Sequence, residues 1–148
     1  MTDASITVRQ ADTEDLDRIE AVLRANDLPY QDVRTKPECF FVADADTERI
    51  GIGGVETHGS DGLLRSVVIT EANRGGGYGS ALCDALEARA RQNGVETLYL
   101  LTTTASEFFR RCGYEAIDRE AAPSSIQATT EFSDLCPASA VCMRKELR

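Results

Sequence analysis

Lysine is almost missing from this chain. Of its 16 basic residues only Lys36 and Lys145 are lysines, against 25 acidic residues and a formal net charge of −9. That balance excludes general nucleic-acid binding, which needs basic patches to neutralise phosphates. It suggests a halophilic chain adapted to high salt, or an acidic surface for a partner. Tryptophan is absent and His58 is the single histidine. The five cysteines (Cys39, Cys83, Cys112, Cys136, Cys142) are scattered, odd in number and without a CxxC pair. A structural zinc site is therefore not expected, and no metal is assigned. No window approaches the ~20 apolar residues that span a bilayer, so no membrane partner is expected. The first residues, MTDASITVRQADTED, lack the basic-then-apolar pattern of a secretory signal. The expected location is the cytoplasm.

With 148 residues the chain is long enough to bury a real core. It shows no repeat, low-complexity tract or linker, so residues 1–148 read as one domain. Ser5 to Arg9 alternates as a short strand. Asp12 is placed to cap a helix from about Thr13 to Asn26, with Leu16, Ile19, Val22 and Leu23 on one face. Pro29 and Pro37 bound an irregular stretch, Leu28 to Glu38, expected to form a loop with one short helical turn, placed where it could cover a substrate. Cys39 to Asp44, Ile50 to Thr57 and Leu63 to Thr70 read as strands, with HGSDG as a turn before the third.

The most informative segment follows that third strand. Arg74-Gly75-Gly76-Gly77-Tyr78-Gly79 leads directly into a helix expected over about Gly79 to Asn93, with Gly94 as its cap. A strand, a glycine turn and a helix N-terminus in that order can hold a phosphorylated ligand. The first helical N–H groups lack intrahelical partners, the helix dipole is positive there, and glycine lets the backbone approach phosphate oxygens. A P-loop needs Lys-Ser/Thr after its last glycine, but Gly79 is followed by Ser80 and Ala81. A dinucleotide fold opens with its glycine unit and carries an acidic residue near the next strand's end. Here three or more strands precede the turn, and the next strand (Val95 to Thr102) ends without a carboxylate. This strand–helix–strand is a βαβ unit, so its two strands should be parallel. Thr104 is placed to cap a short helix to about Cys112, which Gly113 ends. Tyr114 to Asp118, a helical excursion over Pro123 to Cys136 and a strand over Ala138 to Lys145 complete the chain.

Arg74-x-x-Gly77-x-Gly79 matches the (Gln/Arg)-x-x-Gly-x-(Gly/Ala) signature of the GNAT family of N-acetyltransferases. The segment FFRRCGY, Phe108 to Tyr114, is similar to that family's second motif. The resemblance implies an α/β fold: a single domain with a mixed central sheet and a βαβ core flanked by helices. It implies transfer of an acetyl group from acetyl-CoA to a small-molecule amine by direct attack. The segments LLRSVVIT, LYLLTTTASEFFRRCGY and EFSDLCPASAVCM further resemble a GNAT subgroup associated with arsenic resistance, suggesting detoxification. A non-catalytic sensor of CoA or an arsenical, and a protein or peptide N-acetyltransferase, are the alternatives. A homodimer paired through C-terminal strands is common in the family.

By that resemblance Arg74, Gly75, Gly76, Gly77, Tyr78 and Gly79 supply donors to the acetyl-CoA pyrophosphate, with a Ser80 hydroxyl beside them. The Arg74 side chain either joins them or braces the turn. The pantetheine arm maps onto Val67, Val68 and Ile69, and the Val68 N–H is expected to polarise the thioester carbonyl. Glu56, late on its strand, is the candidate base that neutralises the amine, with His58 an alternative. Counting back from Gly113 puts Phe109 where many members have an acid tyrosine and Thr102 where they have asparagine. Phe109 is expected to pack on the thioester arm. Arg34 and Arg65 are candidates to hold a substrate carboxylate, as in a glutamate-like amine. Cys136 and Cys142 read as core packing; a thiol nucleophile would need a basic partner, which the sequence does not supply.

Overall fold

The computed structural model describes residues 6–45, 48–70, 73–75, 77–130, 132 and 139–147. Seven strands form one mixed sheet: β1 (Thr7–Gln10), β2 (Phe40–Ala45), β3 (Glu48–His58), β4 (Asp61–Ile69), β5 (Thr97–Thr102), β6 (Glu115–Ile117) and β7 (Val141–Glu146). Their order is β1-β2-β3-β4-β5-β7-β6. Helices α1 (Leu16–Ala25), α2 (Tyr78–Gln92), α3 (Ser106–Arg111) and α4 (Ser124–Gln127) intervene. The chain divides into two compact units, residues 1–55 with 66–86 and residues 56–65 with 87–148.

In the first unit β1 pairs with β2 and β2 with β3, all antiparallel. A polar turn precedes α1: Asp12 N–H donates to the Asp15 carboxylate at 2.8 Å. Leu16, Ile19 and Leu23 repeat at helical spacing on α1 and pack with Val33, Phe40, Val42, Ile52 and Val68. Truncating one of these, such as Leu23, to alanine costs about 2–5 kcal/mol. The stretch expected to be a loop is anchored. Val33 is fully buried, short 3-10 turns span Val33–Thr35 and Pro37–Cys39, and Leu28 and Tyr30 pack on the same cluster. Glycine in β3 permits close approach: a Cβ on Gly51 would lie 2.6 Å from the Val68 carbonyl oxygen.

In the second unit β4 runs parallel to β5 over Asp61–Leu63, as a βαβ crossover requires. β7 pairs antiparallel with both β5 and β6. Leu63, Tyr99, Ala122, Ile126, Phe132 and Cys142 form its core. Of the helical excursion expected over residues 123–136, α4 covers Ser124–Gln127; residues 131 and 133–136, Cys136 among them, lie outside the described residues. The cap of α3 also differs. Ala105 takes that position, and its N–H donates to the Thr102 hydroxyl at 3.0 Å, so Thr102 rather than Thr104 secures the helix start.

Both lysines of this lysine-poor chain partner buried carboxylates. Lys36 pairs with Asp32 at 3.5 Å and Lys145 with Glu87 at 3.0 Å.

Candidate active site

The segment expected to hold the cofactor is built almost wholly from backbone. Ser66 in β4 has φ +61, a left-handed conformation that a non-glycine residue in a strand adopts only under local constraint. Three residues of ordinary strand follow. Thr70 N–H donates to the Ile50 carbonyl on β3 at 2.9 Å. Backbone polar groups alternate sides along a strand, so Val68 directs its N–H toward β3 as Thr70 does. The close approach of Gly51 to the Val68 carbonyl oxygen agrees. Val67 and Ile69 direct theirs to the other edge. The Val68 N–H, expected at the thioester carbonyl, is thus directed toward β3, and its side chain belongs to the core.

The turn then reverses the chain. Gly75 and Gly77 have φ +86 and +84, where side chains are strained, and α2 begins at Tyr78. The first helical bond from this end runs from Ala81 N–H to the Gly77 carbonyl, 3.3 Å. The N–H groups of Tyr78, Gly79 and Ser80 precede it and by helix geometry have no partner within α2. Positive-φ glycines leading into the N-terminus of a 15-residue helix suit an anionic group. Gly76 lies outside the described residues. The Arg74 side chain turns to the protein: its Nε donates to the Ile69 carbonyl at 3.0 Å and its Nη2 to Asn26 Oδ1 at 3.1 Å. Of its two expected roles, this geometry is that of a brace.

In the second unit the candidates are side chains. Glu56 and Arg65 are both 3% exposed. Arg65 Nη1 donates to Glu56 Oε2 at 3.0 Å, and His58 Nε2 lies 3.3 Å from Glu56 Oε1. Glu56, expected late on its strand, is thus the middle of a chain from a buried guanidinium to a half-buried imidazole. Arg65, expected to hold a substrate carboxylate, is paired here with a carboxylate of this protein. Arg34 is exposed and paired with Asp17 and Glu20 on α1 in the first unit, which likewise ties it to its own chain. Phe109 is buried, edge-on to Phe108 at 5.1 Å and to Tyr114 at 5.7 Å. The Tyr114 hydroxyl donates to Glu87. Sequence reasoning missed Asn26, Glu87 and Lys145; none carries a motif, and each is recognised only by what it touches.

Burial pushes the Cys142 thiol up to about 11, with Arg119 opposing. Such a thiol is a poor nucleophile at neutral pH, in keeping with a packing role. Among the described residues no group of three or more His, Cys, Asp or Glu could hold a metal ion, and no helix is long and apolar enough to cross a membrane.

Residues 36–116 match the acetyltransferase (GNAT) domain. The amino-acid acetyltransferase of Pseudomonas fluorescens (strain Pf0-1) is 36% identical over 64 residues, which are 43% of this chain and 15% of that protein. An uncharacterized N-acetyltransferase of Chlorobaculum tepidum is 34% identical over 88 residues, 59% of this chain and 56% of that protein. Among solved structures, N-acetylglutamate synthase from Neisseria gonorrhoeae, complexed with coenzyme A and N-acetyl-glutamate, has a TM-score of 0.84. It is 19% identical, over 99% of this chain and 36% of that chain. A Mycobacterium tuberculosis protein crystallised with CoA has a TM-score of 0.78 at 22% identity, over 96% and 99% of the two chains. The chain therefore spans only a small part of the amino-acid acetyltransferases it matches, and at these identities the structural likeness speaks to fold alone. The domain match covers more than half of the chain, the strand order agrees with it, and the protein belongs to the GNAT acetyltransferase family.

Proposed function

We propose that this chain transfers an acetyl group from acetyl-CoA to the amine of a small amino acid. The observation that carries the cofactor half is the positive-φ glycine turn running from β4 into α2. Its backbone donors at Gly77, Tyr78, Gly79 and Ser80 would hold the pyrophosphate. The strand-edge groups of Val67 and Ile69 would pair with the pantetheine arm, and the Val67 N–H replaces that of Val68 as donor to the thioester carbonyl. A fixed donor of that kind is worth about 2.7–4 kcal/mol in a transition state. When bound, acetyl-CoA supplies a carbonyl carbon open to nucleophilic attack and a thiolate leaving group.

The amine nitrogen must shed a proton before it can offer its lone pair. Glu56 is the proton acceptor, oriented by Arg65, and His58 passes the proton outward from its half-buried position. Phe109 has no proton to give, so the departing thiolate takes its proton from water. The amino-acid acceptor is supported by the names of the curated relatives, with glutamate the first to test because of the gonococcal synthase. The arsenic-resistance reading rests on the tail and the LLTTTA run alone and supports no narrower substrate.

The buried Phe109 favours one other reading, a CoA sensor without turnover. Thiol release from acetyl-CoA, followed across the common amino acids, simple amines and lysine peptides, separates the two. Turnover selective for an amino acid is expected. CoA binding with no release for any acceptor would establish the sensor, and release only with peptides would move the acceptor to protein amines.

A further inference from the structure

The Arg74 brace ends on a residue with no part in any motif. Helix α1 closes with two bonds, Leu28 N–H to the Leu23 carbonyl at 2.9 Å and Asp27 N–H to the Arg24 carbonyl at 3.2 Å. These are the paired bonds of a Schellman ending. Asp27 occupies its left-handed position, φ +57, where glycine is usual, and Leu28 packs back on the core as that ending requires. Asn26, the C-cap between them and the helix, is thereby fixed in place. Its amide faces two ways. Nδ2 donates to the Val22 carbonyl at 2.8 Å, while Oδ1 accepts from Arg74 Nη2 at 3.1 Å.

The consequence lies with Arg74. A guanidinium at the mouth of an anion-binding turn, left to itself, samples many rotamers. Here its Nε is on the Ile69 carbonyl and its Nη2 on Asn26, so two fixed acceptors define the plane of the group. Arg74 is also the first residue of the turn, and Gly75 and Gly77 after it impose little conformational preference of their own. Whatever holds Arg74 therefore sets how the flexible glycines leave the strand. Asn26 is the only one of the two acceptors that comes from outside the strand and turn.

We propose that Asn26 is a positioning residue for the cofactor turn, acting through the Arg74 guanidinium. This rests on the reading of the turn as the CoA site. Its effect is on CoA affinity and not on the chemical step. Both groups are solvent-exposed, so the contribution is that of one ordinary hydrogen bond, about three- to tenfold in Kd.

The test is CoA titration by calorimetry, with acetyl transfer kinetics and Tm alongside. Asn26→Ala should weaken CoA binding about three- to tenfold. It should raise the KM for acetyl-CoA equally and leave kcat and the amine KM unchanged. Asn26→Asp keeps an oxygen facing Arg74 but loses the donor to Val22. It should keep CoA affinity even where its Tm falls. Asn26→Ala added to Arg74→Ala should weaken binding no further than Arg74→Ala alone. If Asn26 only caps α1, the alanine and aspartate variants lower Tm together, and CoA affinity either stays at the wild-type value or falls equally in both; either outcome overturns the proposal. Gly77→Glu separates this from the underlying reading. If wild-type protein binds CoA and Gly77→Glu binds it equally well, the turn is not the site and the proposal falls with it. If Gly77→Glu abolishes binding while Asn26→Ala leaves Kd unchanged, the role of Asn26 alone is lost.

Discussion

The segment proposed to hold the cofactor in the first unit and the buried ion pairs in the second are built from opposite materials. From Ser66 to Ser80 the groups that matter are backbone N–H and C=O, presented by a strand edge, two positive-φ glycines and a helix start. Around Glu56 and Glu87 they are charged side chains out of water. Arg65 and His58 contact the first; Tyr114 and Lys145 contact the second. The Lys145 ammonium also reaches the Cys112 carbonyl at 2.8 Å, tying the end of α3 to β7. A backbone site is insensitive to most substitutions that keep its dihedrals. A buried ionic site fails when one partner is lost, because the other charge is left without compensation. The two regions should therefore break in different ways, one by losing ligand and the other by losing stability.

The largest expected effect is Gly77→Glu. It puts a side chain at φ +84, costing roughly 1–2 kcal/mol, and a negative charge where an anion is to bind. CoA affinity by calorimetry should fall more than a hundredfold while far-UV dichroism stays native. Unchanged affinity would remove the turn as the cofactor site. Next is Arg65→Met, which leaves Glu56 buried beside His58. Denaturant unfolding should show a loss of about 3–5 kcal/mol. The double variant Glu56→Met with Arg65→Met should recover most of that loss, because two apolar chains replace a desolvated pair. Activity should not return with stability if Glu56 takes the proton. A stable and fully active double variant would leave the pair a purely structural role.

The same contrast governs what could be read from the sequence. Arg74, Gly77 and Gly79 are close in the chain and of restricted type, because a turn with positive φ tolerates few residues. The helix after them and the strands around them follow from apolar spacing, and α2 and β5 lie within two residues of expectation at either end. Arg65 and Glu56 are nine residues apart, and Glu87 and Lys145 are 58 apart. Their pairing is a matter of strand register and helix packing, which local spacing does not encode. Arg34 and Arg65 read from the sequence as ligands for a substrate carboxylate; each is paired with carboxylates of its own chain, which the sequence does not show. The choice between Val67 and Val68 could not be read, because sequence shows that a strand alternates without showing which parity faces β3. The Thr70 to Ile50 hydrogen bond sets that parity.

A smaller effect separates two glycines on β3. At Gly51 an added Cβ would meet the Val68 carbonyl oxygen at 2.6 Å, and a backbone atom cannot move without shifting β4. At Gly53 it would meet Leu86 Cδ1 at 2.5 Å, the far end of a flexible side chain. Gly51→Ala should cost about 1–3 kcal/mol and weaken CoA binding, because Val67 and Ile69 move with Val68. Gly53→Ala should cost less and leave CoA affinity near wild type once Leu86 changes rotamer. Equal effects on CoA affinity would mean that the strand edge does not help to hold the cofactor.

The smallest expected effect belongs to Asp15. Its carboxyl is held below the usual carboxylate range, first by the hydrogen bond from Arg9, which outweighs the opposing effect of burial, and then by the Asp12 N–H and the Arg9 and Arg49 charges. Arg9 and Asp15 meet at 3.0 Å, with Arg49 at 3.8 Å. A depressed folded-state pKa contributes stability that is complete above the unfolded value, about 3.9, and is lost as pH falls through the folded one. Asp15→Asn keeps an oxygen for the Asp12 N–H and removes only the charge. Its Tm should lie slightly below wild type at pH 7, and the gap should narrow in 0.5 M salt and close as pH falls through the lowered folded-state value. Arg9 is largely in water, so screening keeps the effect small. A gap that persists in both acid and salt would mean that Asp15 acts through the shape of the turn before α1 and not through its charge.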